Sequence, residues 1–134
     1  MTLSNPVILG IVILTLVAVA YGGTFVLRVV NGTFPSNELQ RTYYRAGHAH
    51  AGMLVTLGLL LQVVAADPRV PEWGVQSAFG VLWAAILMPA GFFLPVAGRD
   101  PIQPNGLKHL IWIGGIALTA GLVGTGAALI SVGF

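Results

Sequence analysis

The sequence predicts an all-α protein, a four-transmembrane-helix bundle that forms a single transmembrane domain over residues 1–134. Of these residues 56% are hydrophobic and only 7% are charged, whereas a soluble domain carries about 25% charged residues. A helix needs about 20 mostly apolar residues to cross the hydrocarbon core of a bilayer. Four stretches reach that length without Asp, Glu, Lys or Arg, namely 1–27, 46–66, 73–98 and 109–134.

The first helix is predicted over about residues 6–30. Pro6 is acceptable in a first helical turn, and the pair Asn31-Gly32 ends the helix. The segment has no basic residue before Arg28, so it lacks the basic start of a secretory signal. We therefore expect it to be a retained membrane span.

The second helix is predicted over about residues 37–66. Asn37 can cap its first turn, and Gln40 follows three residues later in the position of a capping box. The pair Asp67-Pro68 ends this helix, because the residue before a proline disfavours helical backbone. A helix of this length extends beyond the hydrocarbon at one end.

The third and fourth helices are predicted over about residues 71–97 and 107–132. Pro89 is expected to kink the third helix, because proline removes a backbone hydrogen bond. The polar loop 99–106 separates the two helices. Small residues recur on the fourth helix at spacings of three and four, and we expect this stripe to pack on another helix, within the bundle or across a homo-oligomer. The stripe consists of Gly114, Ala117, Gly121, Gly124 and Ala128.

The basic residues predict the orientation of the chain in the membrane. Five of the six flank the first and third loops, namely Arg28, Arg41, Arg45, Arg99 and Lys108. The opposite side carries only Arg69. Because basic loops are retained in the cytoplasm, we expect a multi-pass protein of the cell (inner) membrane with both termini outside. The bilayer accounts for these basic residues, so they do not indicate a nucleic-acid partner.

All three histidines are predicted to lie near the cytoplasmic face. His48 and His50 lie early in the second helix, and His109 lies early in the fourth, which starts on the same side. His48 and His50 point about 200° apart on a regular helix, so they cannot chelate one ion without another residue. Ionisable residues inside a membrane often mark a functional site. The alternative is that these histidines are hydrated at the interface and bond only backbone or headgroups.

Haem b is one cofactor that this histidine cluster could bind, between the second and fourth helices. Neutral imidazole is the commonest protein ligand of metals, and helix bundles build such sites from facing helices. Glycines would let a flat macrocycle approach the backbone, and these are Gly47, Gly52, Gly114 and Gly115. The haem propionates would meet the basic residues Arg41, Arg45 and Lys108.

Copper is the alternative cofactor. His50 and Met53 stand at helical spacing on one face of the second helix, and Met88 is a further soft ligand. The predicted metal ligands are therefore His48, His50, His109 and Met53. Methionine at this spacing also serves ordinary packing.

A resemblance supports the haem interpretation. The string Gly47-His48-Ala49-His50-Ala51-Gly52-Met53-Leu54, continuing into Leu57-Gly58, resembles a histidine-bearing helix of small bacterial four-helix membrane proteins that are distantly similar to haem–copper oxidase subunit I. The resemblance implies that His48 or His50 is an axial haem ligand. The chain has too few helices and histidines for a haem pair together with a three-histidine copper site, so neither oxygen reduction nor proton pumping is implied.

The sequence predicts no catalytic residues. It contains no glycine-rich phosphate loop, no serine–histidine–acid set and no cysteine. The four acids all stand at span boundaries, and they are Glu38, Asp67, Glu72 and Asp100. This distribution argues against a hydrolase and against a transporter driven by intramembrane carboxylates.

Three function classes remain open from the sequence. The first is a haem- or metal-binding redox or sensor protein. The second is a non-catalytic accessory or assembly subunit of a larger membrane complex. The third is a small oligomeric channel or transporter. The expected partners are the lipid bilayer and either further copies of the chain or another membrane protein.

Overall fold

A computed structural model describes residues 6–133 of the chain. It contains four long helices: α1 (Pro6–Val30), α2 (Glu38–Val64), α3 (Glu72–Phe93) and α4 (His109–Ser131). Each is long and apolar enough to cross a membrane, and no strand occurs between residues 6 and 133. The predicted all-α fold class and its four spans are therefore confirmed.

Short 3-10 turns extend α3 and α4 at the ends that are joined by the loop between them. Leu94–Val96 follows α3, and Gly106–Lys108 precedes α4. Pro95 lies within the first turn, where its missing N–H cannot support another α-helical hydrogen bond. Pro89, by contrast, lies inside α3, and the helix continues through it.

Hydrogen bonds at the start of α2 confirm the predicted capping box. The Asn37 side chain accepts from the Gln40 N–H at 2.9 Å, and the Gln40 side chain accepts from the Asn37 N–H at 3.1 Å. The Gln40 amide also donates to the carbonyls of Val96 and Gly98, both at 3.0 Å. The Asn37 amide donates to Asp100 at 2.9 Å. The cap of α2 therefore fixes the chain that leaves α3.

The helices pack in chain order, with α1 on α2, α2 on α3 and α3 on α4. Any contact between other pairs of these helices is slight. α3 therefore separates α2 from α4, and α1 and α4 occupy the two edges of the bundle. α1 is the least enclosed helix, because Val29 is its single buried residue.

The small-residue stripe of α4 packs on α3, as predicted. A β-carbon at Gly121 would lie 2.9 Å from the Val81 backbone nitrogen, and one at Gly80 would lie 2.6 Å from the Ala117 carbonyl oxygen. Such distances leave no room for a side chain at either glycine. The two backbones therefore touch, which small residues permit between transmembrane helices.

One end of the bundle, here called the basic end, carries both polar loops and five exposed basic residues, Arg28, Arg41, Arg45, Arg99 and Lys108. Beneath them Val29, Tyr44 and Val96 form a buried cluster. The Phe25 ring meets Tyr44 edge to face at 5.3 Å between centroids. The side of the membrane on which the basic end lies stays a prediction.

Candidate functional site

His48 projects from α2 toward α1. A β-carbon at Gly23 would lie 3.4 Å from its Nε2, and one at Gly22 would lie 3.7 Å from its Nδ1. The imidazole therefore lies directly against the α1 backbone, at a place where α1 has no side chains. His48 is half-buried and makes no hydrogen bond with any residue between 6 and 133.

His50 projects toward α3 instead. Its Nδ1 lies 2.7 Å from the carbonyl oxygen of Ala46, one turn earlier in α2. Because a carbonyl only accepts, Nδ1 carries the proton and Nε2 remains an acceptor in the neutral ring. The ring centroid lies 4.8 Å from that of Phe92. His48 and His50 thus serve different helix contacts, as their predicted angular separation requires.

His109 is exposed at the first residue of α4. His48 and His50 belong to α2. Because α4 packs on α3 and any contact with α2 is slight, His109 lies on a helix that is not the neighbour of α2. Within residues 6–133, no three His, Asp or Glu side chains form a group that could hold a metal ion. The structure therefore shows no cluster of the three histidines within these residues. Arg41, Arg45 and Lys108 are exposed around the basic end.

The packing does not fit a haem between α2 and α4, because α3 fills the space that the macrocycle would need. A β-carbon at Gly47 would lie 2.8 Å from the Phe93 ring. One at Gly114 would lie 2.5 Å from the Met88 side chain. Two of the four glycines that were predicted to let the macrocycle approach the backbone are thus covered by α3. Met88 takes part in this packing, and Met53 is 56% exposed.

A cleft of about 460 Å³ lies between α1, α2 and α3. Small and aliphatic side chains line most of it, including Val19, Ala51, Val55 and Ala85. His48 is the only ionisable residue in its lining. Any backbone contact between α1 and α3 is slight, and residues of both helices line the cleft.

The register of the helices places His48 near one end of this cleft. Across α2 and α3, Gly47 faces Phe93 whereas Gly58 faces Leu82. Phe93 and Leu82 both line the cleft. His48, next to Gly47, therefore lies level with Phe93 at the end nearer the basic end, and Leu82 marks the apolar end.

The sequence interpretation missed the pair Gly22-Gly23, on which the His48 ring lies. The signal was present, because the two glycines stand next to each other within an apolar span. A further unexpected feature is Gln62 of α2, which is 1% exposed while neither of its amide atoms has a hydrogen-bond partner among residues 6–133.

Comparisons with known proteins add no relationship. No protein family matches the chain, and no curated protein or solved structure matches it.

Proposed function

We propose that this protein binds a lipid-soluble small molecule within the membrane, in the cleft between α1, α2 and α3. One observation carries the proposal: the imidazole of His48 lies in an apolar cleft without a hydrogen-bond partner in the described chain. An unpaired polar group in apolar surroundings costs free energy. A ligand with one polar group would recover that free energy by bonding His48.

The size and lining of the cleft support this proposal. Ligand sites typically measure about 300–1,000 Å³ and combine apolar walls with a few polar groups that fix orientation. The cleft, at about 460 Å³ with one imidazole, has these properties. Since α1 packs mainly on α2 and buries only Val29, we expect a lipid-soluble molecule to reach the cleft laterally between α1 and α3.

The test is photolabelling of the purified full chain in phosphatidylcholine nanodiscs with a diazirine-tagged decyl alcohol. Ala51→Phe fills the cleft, because Ala51 is half-buried in its wall. The matched control is Ala127→Phe, an exposed alanine of α4. We expect crosslinks on α1, α2 and α3 around the cleft, lost in Ala51→Phe and retained in Ala127→Phe.

A different labelling pattern contradicts the proposal. If crosslinks spread over all lipid-facing surfaces and ignore Ala51→Phe, the cleft holds ordinary acyl chains. The accessory-subunit interpretation then becomes the better one, and co-purification with a larger membrane complex would test it.

Haem bound by His50 alone is a second candidate. Histidines that bind metals usually donate the other ring N–H to a carbonyl or carboxylate, and His50 donates Nδ1–H to Ala46 in this way. Added hemin would give a Soret band that His50→Ala removes, while His109→Ala retains it. The absence of a saturable Soret band excludes this candidate and leaves the cleft proposal unaffected.

A further inference from the structure

We infer that the ligand of the cleft is a lipid-soluble quinone, whose ring lies at the His48 end and whose chain follows α1 toward the opposite end. The inference rests on the proposed function, because it names the chemical class that the same cleft would take. Three features carry it: the shape of the His48 end, the hydrogen bonding of the imidazole, and the length and lining of the remaining cleft.

The His48 end is suited to a flat ring. Gly22 contributes backbone without a side chain, and the His48 imidazole lies against this part of α1. Phe93 lines the same end from α3, and its ring is held in place by stacking on Tyr44 at 5.6 Å between centroids. Aromatic and planar groups pack favourably on such rings. A plain alkyl chain would contact the same surfaces but would lack the additional attraction of ring–ring packing.

The hydrogen bonding of His48 fits a carbonyl group. A neutral imidazole carries one N–H donor, and the donor of His48 has no acceptor between residues 6 and 133. A quinone carbonyl oxygen accepts a hydrogen bond and carries no donor that would itself need an acceptor. The ligand therefore satisfies the donor of His48 without bringing an unpaired donor of its own into the apolar cleft.

The rest of the cleft fits an apolar chain. Its lining on α1 extends from Ile11 to Gly22, a distance of about 16 Å along the helix at the α-helical rise. Small side chains keep this part of the cleft open, namely Ala18, Ala51 and Ala85. Leu82 lies at its far end. A chain attached to a ring at His48 would therefore run away from the basic end.

The experiment uses a benzoquinone that bears a decyl chain. The full chain in phosphatidylcholine nanodiscs is titrated with this quinone, and binding is followed by quinone retained per protein and by NMR of the histidine side chains. His48→Leu keeps an apolar side chain but removes the donor. His109→Leu, at an exposed histidine outside the cleft, is the matched control. Gly22→Val provides a second variant, which keeps the imidazole but adds a side chain beside it, at the predicted ring position.

We expect saturable binding that shifts the His48 resonance and displaces the diazirine-tagged decyl alcohol. His48→Leu should weaken quinone binding by roughly tenfold, as loss of one hydrogen bond in an apolar site predicts, and His109→Leu should leave it unchanged. Gly22→Val should weaken the quinone more than the alcohol.

Two failures are distinguishable. In the first, Ala51→Phe abolishes labelling of the cleft by the alcohol, but the quinone does not displace the alcohol and its binding does not depend on His48. This result overturns the quinone inference and leaves the proposed function standing. If no probe labels the cleft in an Ala51-dependent manner, both are overturned.

Discussion

The contact between α3 and α4 and the contact between α1 and α2 represent two extremes of packing in one small bundle. At the first, glycines bring the backbones together, as at Gly80 and Gly121. At the second, α1 buries Val29 alone, and a β-carbon at Gly52 would lie 3.7 Å from Val19, an ordinary distance. The difference teaches that the tightest packing lies at one edge of the bundle and the cleft lies at the opposite edge.

The physical reason is the solvent. Lipid chains are as apolar as leucine, so apolar side chains gain little by leaving lipid for another helix, and helix association depends on close packing. α4 has the small residues that permit such packing, whereas the exposed face of α1 is mostly aliphatic, including Ile13, Leu14 and Val17. α1 therefore packs more loosely than α4, and the cleft forms beside it.

The largest effect is expected at the tight contact. Gly80→Ala places a β-carbon 2.6 Å from the Ala117 carbonyl oxygen, and a backbone oxygen cannot rotate away as a side chain can. We expect a loss of about 1–3 kcal/mol in the free energy of unfolding, the usual cost of overpacking. Thermal unfolding in detergent measures it.

The matched control for Gly80→Ala is Gly126→Ala. Gly126 belongs to α4, and no atom lies within 4 Å of its β-carbon position. Equal stability of the two variants would show that α3 and α4 are not in backbone contact.

An increase in stability is expected at Gln62 of α2, which lies one turn after Gly58 on the same helix face and is buried with an unsatisfied amide. Gln62→Met keeps the length of the side chain and removes both unpaired polar atoms. Leaving a buried polar group unsatisfied costs about 1–3 kcal/mol, so we expect a gain of up to about that size in unfolding free energy. Gln76→Met, at an exposed glutamine, is the control. A destabilised Gln62→Met variant would mean that the amide does have a partner.

A smaller effect is expected at the loose contact. Gly52→Ala adds a methyl group at an ordinary distance from Val19, so it causes no clash. Alanine also favours helix over glycine by about 0.5–1 kcal/mol, so the unfolding free energy should stay the same or rise slightly. A loss comparable to that of Gly80→Ala would show that α1 is packed as tightly as α4.

The smallest effect concerns the loop between α2 and α3. Hydrogen bonds from the Arg69 side chain and then its backbone lower the pKa of Asp67 from 3.8 to about 2. Because the pKa is lower in the folded state, the ionised carboxylate stabilises the fold at any pH above the ordinary pKa of 3.8. This contribution is lost as the pH falls from about 4 to about 2. Arg69→Gln should return the pKa of Asp67 toward 3.8, as followed by NMR of the carboxyl group. An unchanged pKa would show that the 2.7 Å ion pair does not persist in solution.

Much of the architecture follows from the sequence. The four uncharged stretches determine the spans, because a helix that crosses lipid needs length and low charge. The Asn37–Gln40 capping box and the small-residue stripe of α4 are local patterns with local causes, and the structure confirms both. The opposite orientations of His48 and His50 follow from the helical repeat alone.

The sequence did not determine which helices are neighbours. Equal depth in the membrane suggested that His109 meets His48 or His50, but depth leaves the lateral order of the helices open. In lipid every face of a span can be apolar, so hydrophobic periodicity, which orients helices in soluble proteins, carries little information here.

Only the tertiary structure decided that α3 lies between α2 and α4, and that the Gly22-Gly23 pair of α1 receives the His48 ring. The steric fit of glycines against particular neighbours made that choice, at contacts such as Gly80 on Ala117, because close packing is the main difference between alternative arrangements of apolar helices in lipid.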